Sequence, residues 1–183
     1  MAALHNELAA AAQRDGLLDI AYRTVDSPVG PLLLAATEQG LLRVAYARED
    51  HDTVLAQLAE KISPRILRAP ARLDTAAREL EEYFTRTRRT FDLPLDWRLA
   101  AGFRSTVLHH LPEIGYGRTA SYATVAALAG SPKAVRAVGT ACAKNPLPVV
   151  IPCHRVVRSD GAMGGYLGGT EAKRLLLDLE AAL

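Results

Sequence analysis

The stretch that decides the fold is "SYATVAALAGSPKAVRAVGTACAKNPLPVVIPCHRVV", residues 121–157. Its first part predicts two short helices across a Gly-Ser turn. Ser121 is placed to cap the first helix, and Gly130 to end it in the left-handed conformation. Ser131 is the expected cap of the second, with Pro132 at its first helical position. Together they make a helix-turn-helix. The second helix carries Ala134, Ala137, Gly139, Thr140, Ala141 and Ala143, all small, around one long cation, Arg136. Such a helix can pack tightly on a neighbour with Arg136 in solvent, or approach another surface closely with Arg136 projecting into it. The motif alone does not decide. The last part, "NPLPVVIPCHRVV", is too proline-rich for a helix and is expected to be extended.

Outward from this stretch, "GFRSTVLHHLPEI" predicts a helix ended near Pro112, "GYGRT" a turn, and "TEAKRLLLDLEAAL" a final amphipathic helix through Leu175, Leu176 and Leu179. "AYRTVDSPVGPLLLAATEQGLLRVAYA" predicts strands separated by Ser-Pro-Val-Gly-Pro and Glu-Gln-Gly turns. "DHDTVLAQLAEKI" predicts a helix with Asp52 as its cap. "LDTAARELEEYFTRT" predicts another, with Leu80, Tyr83 and Phe84 on the buried side. "FDLPLDWRL" is expected to be extended. Residues 1–18 are expected to form a helix or a frayed extension. The fold class is α/β in the α+β sense: a supporting domain over 1–98 with a small antiparallel sheet and helices, then a mostly helical domain over 99–183.

The composition is that of an ordinary globular chain: 183 residues, 49% hydrophobic, 23% charged, net charge +2. The charge is uneven. Residues 99–183 carry nine basic and five acidic side chains, and residues 1–98 carry thirteen and fifteen. A basic second half suits a polyanion, although a solvated surface explains it equally well. Arg86, Arg88 and Arg89 are read as a solvated run. No apolar run reaches membrane-spanning length and no signal peptide is expected, so the expected setting is a reducing cytoplasm.

The two cysteines, Cys142 and Cys153, are too few for a disulfide scaffold. Cys142 in an Ala-rich helix suits a buried, inert thiol. Cys153 is different, with Pro152 before it, His154 and Arg155 after it, and a loop of five glycines downstream at 161–169. A thiol becomes a strong nucleophile only as thiolate, which needs a nearby base or cation. Adjacent side chains of an extended segment point to opposite faces, so His154 is expected to act through a water, oriented by an acid such as Glu180.

These motifs resemble the O6-alkylguanine-DNA alkyltransferases, also called methylated-DNA–protein-cysteine methyltransferases. "SPKAVRAVG" is similar to the family's recognition helix, "NPLPVVIPCHRVV" to its asparagine turn and active site, and "GAMGGYLGG" to its substrate loop. "VDSPVGPLLLAATEQGLLRVAY" resembles the start of its N-terminal domain. The resemblance implies that Cys153 accepts the alkyl group irreversibly, with a single turnover and no cofactor. His154 would take the thiol proton, Glu180 would orient His154, Asn145 would brace the turn, and Tyr122 would donate to the departing guanine and help rotate the nucleotide. Arg136 would fill the gap left by the flipped base, with Ala137 and Gly139 allowing the helix into the minor groove. Ser131 and Ser159 would contact the backbone of double-stranded DNA. Val156, Tyr166 and Leu167 would line the base pocket. The chain departs from the family pattern at Leu108, where tryptophan is common, and at Gly115, where proline is frequent. His5 and His51 have no cysteine partners in residues 1–98, so no zinc site is expected. A monomer without further domains is expected. The alternatives are a lesion sensor that binds alkylated DNA without reacting, and a cysteine hydrolase.

Overall fold

The computed structural model describes residues 2–181, without the side chains of residues 2, 3, 5 and 6, so His5 lies outside the described side chains. The chain divides into two compact units, one of residues 1–82 with 92–96, the other of residues 83–91 with 97–183. The division is interleaved between residues 83 and 96.

The first unit starts with helix α1 (Ala2–Arg14), followed by strands β1 (Ile20–Val25), β2 (Leu32–Thr37) and β3 (Gly40–Tyr46), helix α2 (His51–Lys61), strand β4 (Ile66–Arg68) and helix α3 (Asp74–Phe84). The sheet order is β3-β2-β1-β4. Three strands are antiparallel neighbours, as the turn signals predict, while β4 runs parallel to β1 through Ile20↔Ile66 and Ala21↔Leu67. With only three residues, β4 shows no alternation to read in the sequence. All six residues of β2 are buried, which explains its unbroken apolar run. Helix α1 lays Ala9 against a small cluster with Leu18, Ala21 and Ala69.

Asp52 does not cap α2. The cap position is Asp50, whose carboxylate accepts from the Thr53 hydroxyl at 2.5 Å rather than from a backbone N–H. Asp52 sits in the first turn, where an acid still suits the positive end of the helix.

The second unit contains the end of α3, helix α4 (Gly102–His110), the short strand β5 (Ala120–Ser121), helices α5 (Tyr122–Leu128) and α6 (Val135–Ala143), the short strand β6 (Val156–Val157) and helix α7 (Thr170–Ala181). Helix α4 gives way to a 3-10 turn at Leu111–Glu113, which contains Pro112. Leu108 is fully buried, so leucine serves as core there. Ser121 caps α5, accepting from Thr124 N at 3.0 Å. Gly130, at φ +74°, ends the helix with Gly130 N to Ala127 O (3.0 Å) and Ser131 N to Ala126 O (2.9 Å). That pair of bonds is a Schellman stop.

The second helix starts later than predicted. The Ser131 N–H is committed to closing α5, and the Ser131 carbonyl accepts from Ala134 N at 2.8 Å. Residues 131–134 are therefore a turn around Pro132, and Ala134 is the helix cap. Ser131 and Pro132 lie outside the helix. Strands β5 and β6 pair in parallel, Ala120↔Val156 and Ser121↔Val157, which ties the start of α5 to the segment after Cys153.

Gly40 tests the packing of the first unit. Its φ is +143°, and a Cβ there would lie 2.2 Å from the Pro94 carbonyl oxygen. Leu41 N donates to that same oxygen at 2.8 Å, and Asp96 N donates back to Leu41 O at 2.9 Å. Gly40→Ala is expected to cost about 2–4 kcal/mol, through steric overlap and lost edge bonds, read as a lower urea midpoint at unchanged slope.

Candidate active site

Cys153 stands at the start of a 3-10 turn, Cys153–Arg155, that follows a tight bend. The expected extended conformation of 145–157 does not hold. Asn145 is the reason. Its Oδ1 accepts from Leu147 N at 2.9 Å, and its Nδ2 donates to Ile151 O at 2.9 Å. These bonds fold the prolines around one side chain. Val149 is held at φ +72° with 1% exposure, a conformation that costs a β-branched residue on the order of 1–3 kcal/mol. Asn145 Nδ2 also donates to Cys153 Sγ at 3.1 Å. The amide thus braces the turn and touches the thiol.

The 3-10 turn replaces strand alternation and sends His154 and Arg155 to the same carboxylate. His154 Nε2 lies 2.8 Å from Glu180 Oε1. Arg155 Nε donates to Glu180 Oε2 and Arg155 Nη2 to Oε1, each at 2.9 Å, and Nη1 donates to Ile114 O at 2.6 Å. Tyr83 OH donates to Oε1 at 2.7 Å, and Gly117 N to Oε2 at 3.2 Å. Burial alone would raise the Glu180 pKa, but the bonds and charges of His154 and Arg155 outweigh it and bring it to about 2. Burial pushes His154 below its ordinary value, against the pull of Glu180. His154 Nδ1 is buried without a hydrogen-bond partner among the described residues.

Arg155, bound to Glu180 in this way, is not the thiol's cation. Lys173 takes that position. It is fully buried, and Nζ donates to Val156 O at 2.7 Å, to Met163 O, and to Gly165 O at 3.4 Å. It also lies 6.0 Å from the Tyr122 ring centre. Burial raises the Cys153 thiol to about 11, while the Asn145 bond and the Lys173 charge pull it down. Lys173, Arg155 and Tyr83 were not among the expected site residues. One signal was available: Lys173 and Glu180 fall on the same face of α7 as Leu176, at positions i, i+3 and i+7.

The remaining candidates fall into two places. Around the sulfur, Tyr122 is half-buried, its hydroxyl raised in pKa by burial and by the neighbouring Cys142 and Cys153. A Cβ at Gly164, φ +69°, would lie 3.1 Å from that hydroxyl, so the loop backbone rests on it. Tyr166 sits edge-on to His154 with ring centres 6.4 Å apart, Leu167 is half-buried and Val156 fully buried. On the outer face of α6, Arg136 and Ala137 are exposed, while Val138, Ala141 and Cys142 point inward. A Cβ at Gly139 would meet nothing within 4 Å. Gly139 and Ala137 therefore do not serve tight packing inside the chain. Ser131 is half-exposed, and Ser159 is exposed between the ion-paired Arg158 and Asp160. Cys142 and Cys153 are both free thiols. Among the described residues no group of three or more His, Cys, Asp or Glu could hold a metal ion, and no helix is long and apolar enough to cross a membrane.

These shifts fix the sign of the pH dependence of stability. Glu180 and His154 both titrate lower in the fold than their reference values of 4.5 and 6.5. Their contributions are complete above those values and disappear as pH falls through the folded values. Cys153 is raised from 9.0 to about 11, so its contribution is complete below 9.0 and disappears as pH rises through about 11. Chemical unfolding across pH is expected to give a plateau between these limits. Glu180→Gln should lose the part of the acid slope below 4.5, and Cys153→Ser the alkaline one.

Family models match both halves of the chain. Residues 102–182 match "6-O-methylguanine DNA methyltransferase, DNA binding domain", and residues 20–97 match "6-O-methylguanine DNA methyltransferase, ribonuclease-like domain". The constitutive methylated-DNA–protein-cysteine methyltransferase of Bacillus subtilis is 39% identical over 160 residues, covering 87% of this chain and 94% of its own. The Mycobacterium tuberculosis protein of that name is 38% identical over 161 residues, covering 88% and 92%. The crystal structure of M. tuberculosis O6-methylguanine methyltransferase superposes with a TM-score of 0.77 at 35% identity, covering 89% of this chain and 93% of that one. A structure of M. tuberculosis OGT in complex with DNA gives 0.74, also at 35% identity, covering 88% and 93%. Matched along nearly its whole length and in both halves, the chain belongs to the 6-O-methylguanine DNA methyltransferase family.

Proposed function

We propose that this chain repairs DNA by moving the alkyl group of O6-alkylguanine onto Cys153, once per molecule. The observation that carries the reading is the sulfur held by Asn145, one residue before a histidine bonded to a buried, anionic glutamate. His154 donates its Nε2 proton to Glu180, which leaves Nδ1 as the basic nitrogen. Nδ1 takes the Cys153 proton through a bridging water. Sγ then attacks the alkyl carbon in line, the carbon–O6 bond breaks, and its electron pair leaves with guanine. The Tyr122 hydroxyl supplies the proton to that leaving group. The thioether has no easy route back, so the protein is consumed.

The magnitudes explain why the thiol needs its substrate. A pKa of about 11 leaves roughly one thiol in 10⁴ ionised at pH 7. Cys153 is also only 1% exposed. The side chains around it give way to the incoming base, and ionisation accompanies docking. Lys173 and Asn145 are the groups that hold the thiolate once it forms.

On the DNA side, α6 enters the minor groove with Ala137 and Gly139 against its walls, and Arg136 occupies the space of the extruded base. Flipping costs a few kcal/mol, less for a weakened pair. Ser131 and Ser159 contact the backbone, and Val156, Tyr166 and Leu167 enclose the base. The basic half supplies phosphate attraction, so binding weakens as salt rises. The protein works as a monomer in the reducing cytoplasm, where both thiols survive.

The deciding experiment is intact-protein mass spectrometry after mixing with a duplex containing O6-methylguanine. A stoichiometric gain of one methylene on the Cys153 peptide is expected, absent in Cys153→Ser. Binding without mass gain would mark a sensor, and product exceeding protein would mark a hydrolase; either overturns the reading. Arg136→Ala is expected to slow transfer from duplex on the order of tenfold or more, while free O6-methylguanine base still reacts at the wild-type rate.

A further inference from the structure

We propose that Tyr83 is a positioning residue for this reaction, its hydroxyl setting how strongly Glu180 holds His154. The inference rests on His154 taking the thiol proton, as argued above. Tyr83 lies in the last turn of α3, far in sequence from the active-site turn, and is fully buried. Its hydroxyl donates at 2.7 Å to Glu180 Oε1, the same oxygen that His154 Nε2 approaches at 2.8 Å. Its ring is gripped by Phe84, Phe91 and Tyr116, with centres 5.3, 5.4 and 6.2 Å away. The hydroxyl is therefore aimed by packing on several sides.

Three donors share Oε1: His154, Tyr83 and Arg155 Nη2. Arg155 also carries the ion pair, so its removal would disturb the whole turn. Of the three, Tyr83 alone neither carries the ion pair nor handles the thiol proton. A hydroxyl bonded to a carboxylate oxygen draws charge from it, which leaves less for the imidazolium that forms when His154 takes a proton. Glu180 can then orient the ring without trapping the proton on it. The other charged or titratable groups facing the pair are Arg155 on the turn, Lys173 on α7 and the Tyr116 hydroxyl, with Arg89 over the Tyr116 ring at 5.7 Å. Burial and the adjacent Glu180 raise the Tyr83 pKa, so it remains a donor throughout the working range.

The test is the pH profile of the single-turnover transfer rate, with duplex affinity measured beside it. Tyr83→Phe keeps the ring and loses the donor. The acid limb is expected to move up by about half a pH unit, as His154 holds its proton more tightly, and the rate on that limb to fall by about threefold at most, with DNA affinity unchanged. Placing 3-fluorotyrosine at position 83 gives a stronger donor in nearly the same volume, and the limb should move down. If Tyr83→Phe does not fold, the fluorotyrosine protein decides alone. An unmoved limb, or one that moves the opposite way, overturns the inference even if the rate falls, because a packing role alters rate without altering that limb. Failure of the wild-type protein to transfer at all would instead overturn the alkyl-transfer reading.

Discussion

The buried Arg155–Glu180 ion pair is the constraint on which the site depends. Two parallel N–H···O bonds of 2.9 Å fix the carboxylate in the plane of the guanidinium. Breaking such a buried pair on one side costs about 3–5 kcal/mol, since the remaining charge is left unmatched. The cost is reduced here because the carboxylate accepts from five donors in all, drawn from α3, the turn at Gly117 and the active-site turn. Through Ile114 O the same arginine also anchors the end of α4's extension. The pair therefore unites the last helix, the segment before α5 and the Cys153–Arg155 turn. The imidazole inherits its orientation from that union.

A second set of bonds does for the sulfur what Glu180 does for the histidine. Asn145 spends every polar atom of its side chain on the loop 145–153, and the bend it enforces drives Val149 into the left-handed region. Lys173 gathers backbone carbonyls from Val156, Met163 and Gly165 around one ammonium. A buried lysine loses favourable hydration, and the carbonyls replace it. The result is a cation close to a thiol that burial otherwise keeps neutral.

Much of this was legible in the sequence, and the gaps have physical causes. Ser121 and Gly130 marked the first helix because caps and left-handed stops are local chemistry. Helix α6 starts later than Ser131 and Pro132 suggest because the Ser131 carbonyl accepts from Ala134 N, three residues on, and closes a turn before the helix begins. The prolines of 145–157 exclude helix and suggest extended backbone, while the true shape of the turn follows from Asn145 bonding six and eight residues ahead. Strand β4 was too short to show a period. Cys153, His154, Asn145 and Glu180 could be named together by resemblance, and hydrogen bonds do join them into two adjacent pairs. Lys173 and Tyr83 do not stand out in the sequence, because a lysine and a tyrosine on amphipathic helices have many ordinary uses. Their significance comes only from long-range contacts, Tyr83 lying 97 positions from Glu180.

The near-complete enclosure of Cys153 has a consequence under the once-only transfer proposed for it. A sulfur that is mostly protonated and shielded is a poor target for the stray peroxides and electrophiles that circulate in any cell. Losing it to one of them would be as final as using it. The same closure that slows the thiol at rest thus protects it until a base docks.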